Sequence, residues 1–189
     1  AIPAHMGSRI RFRPIENVVE EISQLKYENV YLADDTLFFP QQKISQYAKE
    51  LFKALIPLEK KYFVSSTMAL NVDKEFLDLA ARAGVKNFYC TMNVDPVSIK
   101  ALSGGAQEQQ MLCDLVKILE DRDIRFFGSC ALGRDWDDTS IADRIMNLFN
   151  KAGIHTSEFF IFTPYPGSVH WDRMIRQNRI FDFNWSHYN

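Results

Sequence analysis

Two adjacent carboxylates, Asp34 and Asp35, close a short apolar run, Asn29-Val30-Tyr31-Leu32-Ala33. Neighbouring acids at the end of a strand can hold a cation or accept hydrogen bonds from the ammonium group of a ligand. One of them serves equally as a cap for the turn that follows. Asn93 and Asp95 stand after a second such run, at 87–91, where they could bind sugar hydroxyls or simply form a turn and helix start ahead of Pro96. Ser65 and Ser66 end the run at 62–66 and offer weaker candidates.

Other polar groups resolve into local structure. Arg134-Asp135-Trp136-Asp137-Asp138 has the acids of a calcium loop but lacks its central glycine and distal glutamate. Asp138, Thr139 or Ser140 is better read as the cap of a helix. His155, His170 and His187 show no ligand spacing with one another, and Phe181, Phe183, Trp185 and Tyr188 read as packing of a C-terminal tail. The three cysteines, Cys90, Cys113 and Cys130, are odd in number and widely separated. Neither a disulfide framework nor a zinc cluster follows from that spacing, so the expectation is free buried thiols in a reducing, cytoplasmic setting and no metal site in this chain.

A formal net charge of -2 leaves no basic surplus to neutralise phosphates, which argues against a general nucleic-acid binder. No apolar run approaches the roughly 20 residues needed to span a bilayer, so no membrane partner is expected. Residues 1–8, AIPAHMGS, read as the remnant of an expression tag, which places the folded domain at 9–189.

The hydrophobic period alternates between strand and helix along the whole chain. Strands are expected at 29–33, 62–66, 87–91, 125–132 and 157–162, and helices from Arg13-Pro14 onward, at 42–55, 74–83, 107–122, 139–152 and 169–177. Short apolar strands alternating with amphipathic helices at intervals of about 30 residues are the pattern of βα units around a parallel sheet. Strands apolar throughout imply that both sheet faces are covered. No GxGxxG follows a strand, which disfavours a dinucleotide-binding doubly wound sheet. The expected class is therefore α/β, a curved, partial TIM-like barrel with its first strand missing, and the polar strand ends form its mouth.

Two stretches resemble a known family. RFRPIENVVEEISQL…NVYLADDTLFF is similar to the segment that follows the cluster motif of radical S-adenosylmethionine (SAM) enzymes, closest to the subgroup often fused to a cobalamin-binding domain. IFTPYPGS with the later RIFDFNWSHY resembles the end of the barrel in the same subgroup. The resemblance implies a partial (β/α)6 barrel with SAM across its mouth, bound to a [4Fe–4S] cluster whose reduction yields a 5′-deoxyadenosyl radical. By position it puts Asp34 and Asp35 at the SAM amino group and Phe162 and Thr163 near the adenine. Asn93 falls where many members carry a ribose-binding glutamate.

The family's CxxxCxxC, which supplies three thiolates to the cluster, is absent, and the three cysteines present lie on later elements. The chain is thus read as a fragment of a radical SAM enzyme, inactive by itself, with the cluster ligands upstream and cobalamin a further cofactor of the parent. Its substrate, a small molecule or a peptide, is not specified by these residues. A rival reading is a degenerate barrel that acts as a binding or scaffold module, and Asn93 in place of the glutamate favours it. An aldolase-like barrel is disfavoured, because no lysine stands at a strand end to form a Schiff base. A missing first strand would leave the run at 30–33 as an open sheet edge and Val18, Val19 and Ile22 partly bare, so self-association through that edge is expected.

Overall fold

The computed structural model describes residue 7 and residues 9–68, 73–92 and 96–187. The chain divides into two compact units, Arg13–Phe160 and a second formed by Ile161–Asn189 together with Ala1–Phe12.

The larger unit begins with helix α1 (Ile15–Ser23), entered through Pro14, and strand β1 (Asn29–Leu32). Helix α2 (Gln42–Leu55), strand β2 (Lys61–Ser66), helix α3 (Lys74–Ala83) and strand β3 (Val85–Met92) follow. Next come α4 (Pro96–Leu102), α5 (Ala106–Glu120), β4 (Arg125–Leu132), α6 (Ile141–Ala152) and β5 (Thr156–Ile161). The second unit carries helix α7 (Val169–Arg176).

The strands form one parallel sheet in the order β1-β2-β3-β4-β5, the chain order itself. A doubly wound sheet would reverse direction at a switch point. Monotonic order instead winds every crossover the same way, and the result is a curled half-barrel. The expected partial (β/α) barrel is the observed class.

Local chemistry explains the element ends. In α2 the buried residues Ala48, Leu51, Phe52 and Leu55 recur at helical spacing, and Pro57 ends the run in a single 3-10 turn, Ile56–Leu58. Asp73 caps α3 by accepting the Phe76 N–H at 3.0 Å. Burial alone would raise the Asp73 carboxyl, but Lys49 at 2.9 Å and the Phe76 amide hold it below the usual range. Gly84 closes α3 with φ of 99°, a conformation that side chains oppose.

Two expectations change. Strands apolar throughout implied two covered faces, yet helices cover only one. On that face Val64, Phe88, Cys90, Met92, Phe126 and Cys130 are buried. The opposite, concave face carries Tyr31, Phe63, Tyr89 and Phe127, none of them buried, and β5 is exposed along its length. The apolar content of these strands therefore reflects a lined barrel interior rather than a second helix layer. The first helix differs at one residue: Ile22 is buried, whereas Val18 and Val19 pack against the core but stay partly exposed.

One core residue invites a test. Tyr62 is 1 % exposed on the helix-covered face, and among the described residues its hydroxyl has no hydrogen-bond partner. Burial pushes that hydroxyl up to about 12. Because an unsatisfied buried polar group costs about 1–3 kcal/mol, Tyr62→Phe is expected to raise stability by about 1 kcal/mol in urea denaturation. A clear loss of stability would show that the hydroxyl makes a compensating bond.

Candidate functional site

Strand β1 leads into Asp34 and Asp35, and β2 ends in Ser65 and Ser66. The Asp34 N–H turns back to the Leu32 carbonyl at 2.8 Å, and the Thr36 N–H reaches Asp34 Oδ1 at 3.4 Å. Beyond it, Leu37 and Phe38 are buried, and the Leu37 N–H donates to the Ser65 carbonyl at 3.1 Å. The loop is thus anchored just past the acids while both acids stay exposed. The two carboxylates differ in one respect. Asp34 is engaged as a turn acceptor, whereas the Asp35 carboxylate accepts no hydrogen bond among the described residues; only its carbonyl is used, by Thr36 Oγ1 at 2.6 Å. Asp35 is the one free to receive a ligand donor.

Asn93 and Asp95 lie outside the described residues. Phe162 and Thr163 belong to the second unit, in the turn ahead of α7. There Phe162 meets the His170 ring edge-on at 4.7 Å, and Thr163 Oγ1 donates to the Ile161 carbonyl at 3.1 Å. Ser65 and Ser66 are buried at the end of β2, and Ser65 shares a 3.3 Å hydrogen bond with the Tyr31 hydroxyl.

The acidic stretch after β4 is structural. Asp137 Oδ2 accepts the N–H groups of Gly133 and Arg134 at 3.0 and 2.9 Å. Asp138 binds the Ser140 hydroxyl and amide and Arg144, which together pull its carboxyl down to about 2 at the start of α6. Arg134 is buried at the same strand end and lies over the Trp136 ring at 5.6 Å.

Sequence reasoning passed over the concave face. Tyr31 and Phe63, paired in register, meet edge-on at 5.3 Å, and Phe63 meets Phe127 at 5.8 Å. Phe127 packs against its register partner Tyr89 at 5.5 Å. The Tyr89 hydroxyl is 2.5 Å from Glu158 Oε1 and 2.7 Å from Ser129 Oγ, which is itself 3.0 Å from the same carboxylate oxygen. Burial, reinforced by the Glu158 hydrogen bond, raises the Tyr89 pKa above its ordinary value. A clue was present: a glutamate within the strand expected at 157–162, directly ahead of four apolar residues.

The cysteines do not fit an iron–sulfur cluster. Cys90 and Cys130 are buried on the helix-covered face, and burial pushes the Cys130 thiol up to about 12 against the pull of Arg134. Cys113, on α5, donates to the Lys151 carbonyl. Among the described residues no group of three or more His, Cys, Asp or Glu is placed to hold a metal ion, and no helix is long and apolar enough to cross a membrane.

The half-barrel matches the solved structure of TsrM from Kitasatospora setae, a radical S-adenosylmethionine methyltransferase with cobalamin and a [4Fe-4S] cluster bound. The TM-score is 0.70 at 16% identity, covering 87% of this chain and 34% of that one. The likeness is one of fold. A second structure of TsrM, with a tryptophan substrate and a SAM analogue, matches with a TM-score of 0.62 at 17% identity, covering 78% of this chain and 30% of that one. Two curated proteins are also similar. An uncharacterized methyltransferase of Pyrococcus horikoshii is 22% identical over 96% of this chain and 40% of its own length. The bacteriochlorophyllide d C-12(1)-methyltransferase of Chlorobaculum tepidum is 22% identical over 99% of this chain and 41% of its own length. The chain therefore spans about two-fifths of the curated relatives it matches. No family model matches it.

Proposed function

We propose that this chain forms the SAM-binding barrel portion of a methyltransferase of the radical SAM kind. The observation that carries the reading is the open Asp35 carboxylate at the strand-end rim, in a fold shared with a radical SAM methyltransferase. Similarity over nearly the whole chain to two proteins described as methyltransferases supports the same reaction class.

Asp35 would accept the ammonium group of SAM, while Asp34 holds the turn that presents it. Bound SAM supplies the activated methyl group. By the resemblance Asn93 stands where many members carry a ribose-binding glutamate. Because the cysteines do not fit a cluster, no step of the chemistry is assigned to iron or to these thiols.

Loss of a charged hydrogen-bond acceptor costs about 1.5–3 kcal/mol, roughly 10- to 100-fold in affinity. Asp35→Asn is expected to weaken SAM binding by at least about tenfold in isothermal titration, with the melting temperature unchanged. Asp34→Ala, which removes the turn acceptor, should instead lower the melting temperature. If the chain does not bind SAM, or if Asp35→Asn binds it as tightly as the parent, the reading fails.

A further inference from the structure

We infer that the concave face of the sheet is a binding site for a flat, conjugated molecule carrying an ammonium group at its edge. Two observations combine. The aromatic rings of the helix-covered core, Phe38, Phe52, Phe76 and Phe88, are wholly buried. Those of Tyr31, Phe63, Tyr89 and Phe127 are not, yet they form a continuous strip with centroid separations of 5.3, 5.8 and 5.5 Å. A linked array of partly exposed rings offers stacking and edge contacts to a planar guest. It also presents negative ring faces to a cation.

At the end of that strip stands Glu158, and its surroundings determine the sign of the guest. Oε1 is within hydrogen-bond distance of two hydroxyls, Tyr89 at 2.5 Å and Ser129 at 3.0 Å, the latter from a fully buried side chain. The two hydroxyls are themselves 2.7 Å apart, so a closed triangle of three oxygens clamps the carboxylate in one orientation. Oε2 accepts no hydrogen bond among the described residues, and no cation there pairs with Glu158. A fixed carboxylate with one oxygen unused beside an aromatic floor fits a donor on the rim of a flat ligand. Tyr89 and Ser129 act as positioning residues, because they hold Glu158 rather than meet the guest through its donor.

As the substrate site of a methyltransferase this inference rests on the reading above; as a binding site it rests on the concave face alone. The test uses the full chain and three probes in isothermal titration: 2-naphthylmethylamine, flat and cationic; 2-naphthoate, flat and anionic; and cyclohexylmethylamine, cationic but not flat. The naphthyl amine is expected to bind at least about tenfold more tightly than either of the others. NMR shifts should localise it to the Phe63, Tyr89 and Phe127 rings. Glu158→Gln should remove the preference for amine over carboxylate, and Phe127→Leu should weaken both naphthyl probes together. Equal binding of amine and naphthoate by the unaltered chain overturns the inference, as does a folded Glu158→Gln variant that keeps the preference. SAM is titrated separately. An amine that binds to a chain that does not bind SAM upholds this site and sinks the methyltransferase reading.

Discussion

Gly84→Ala is expected to destabilise the chain by about 2–5 kcal/mol, the sum of backbone strain and overpacking against a partner that cannot yield. Gly84 ends α3 at φ 99°, and a methyl group built on it would fall on the carbonyl oxygen of Lys60. That oxygen is backbone at the entry to β2, and its residue is tied down by Lys60 Nζ bonds to the carbonyls of Leu25 and Tyr27 at 2.8 and 2.9 Å. Relief would have to move β2 and also break the Tyr62 N–H bond to the Gly84 carbonyl at 3.0 Å. Gly104 supplies the control. Its φ is 92° but among the described residues nothing lies within 4 Å of its added methyl, so Gly104→Ala should lose only the strain, about 1–2 kcal/mol. Urea denaturation of the two variants decides the matter: equal losses would mean that the Lys60 carbonyl moves aside without cost.

Gly84 also shows why parts of this fold could be read from residues alone. Helices at 42–55 and 74–83 have the same limits in the structure, because their apolar stripes, the Asp73 cap, the Gly84 stop and Pro57 are local signals. Strand β3 extends beyond 87–91 to include Val85 and Met92; its polar start, Lys86-Asn87, masks pairing that only the neighbouring strand enforces. Helix α4 was legible only as one alternative, a helix start at Pro96, since its seven residues are too few to show a helical period before the glycine pair. The exposed acids of the site were legible because they end an apolar run. Which of them serves the turn was not, for that depends on the Thr36 and Leu37 amides. The concave cluster was least visible. Tyr89 and Glu158 are 69 residues apart and meet only after three strands pair in register.

The second large effect concerns the strand that carries Ser129. Gly128 lies on the helix-covered face of β4, where a methyl group would stand 2.6 and 2.8 Å from two ring carbons of Phe149. Phe149 is 1 % exposed, and its ring is held between β4 and Phe159, 6.5 Å away, so it has little room to retreat. Gly128→Ala should therefore cost about 1–3 kcal/mol through overpacking. If that contact is the cause, shortening the partner relieves it. Phe149→Leu alone leaves a cavity and destabilises, but in the double variant the new methyl fills part of the space the ring vacates. The double variant is then expected to be more stable than the sum of the two single losses by about 1 kcal/mol or more, as for residues in direct contact. Additive losses in chemical denaturation would mean that β4 itself shifts. A shifted β4 would carry Ser129, the next residue, away from Tyr89 and Glu158. Gly128→Ala would then blunt the selectivity for the naphthyl amine, whereas a contact relieved within the helix layer leaves the concave face intact.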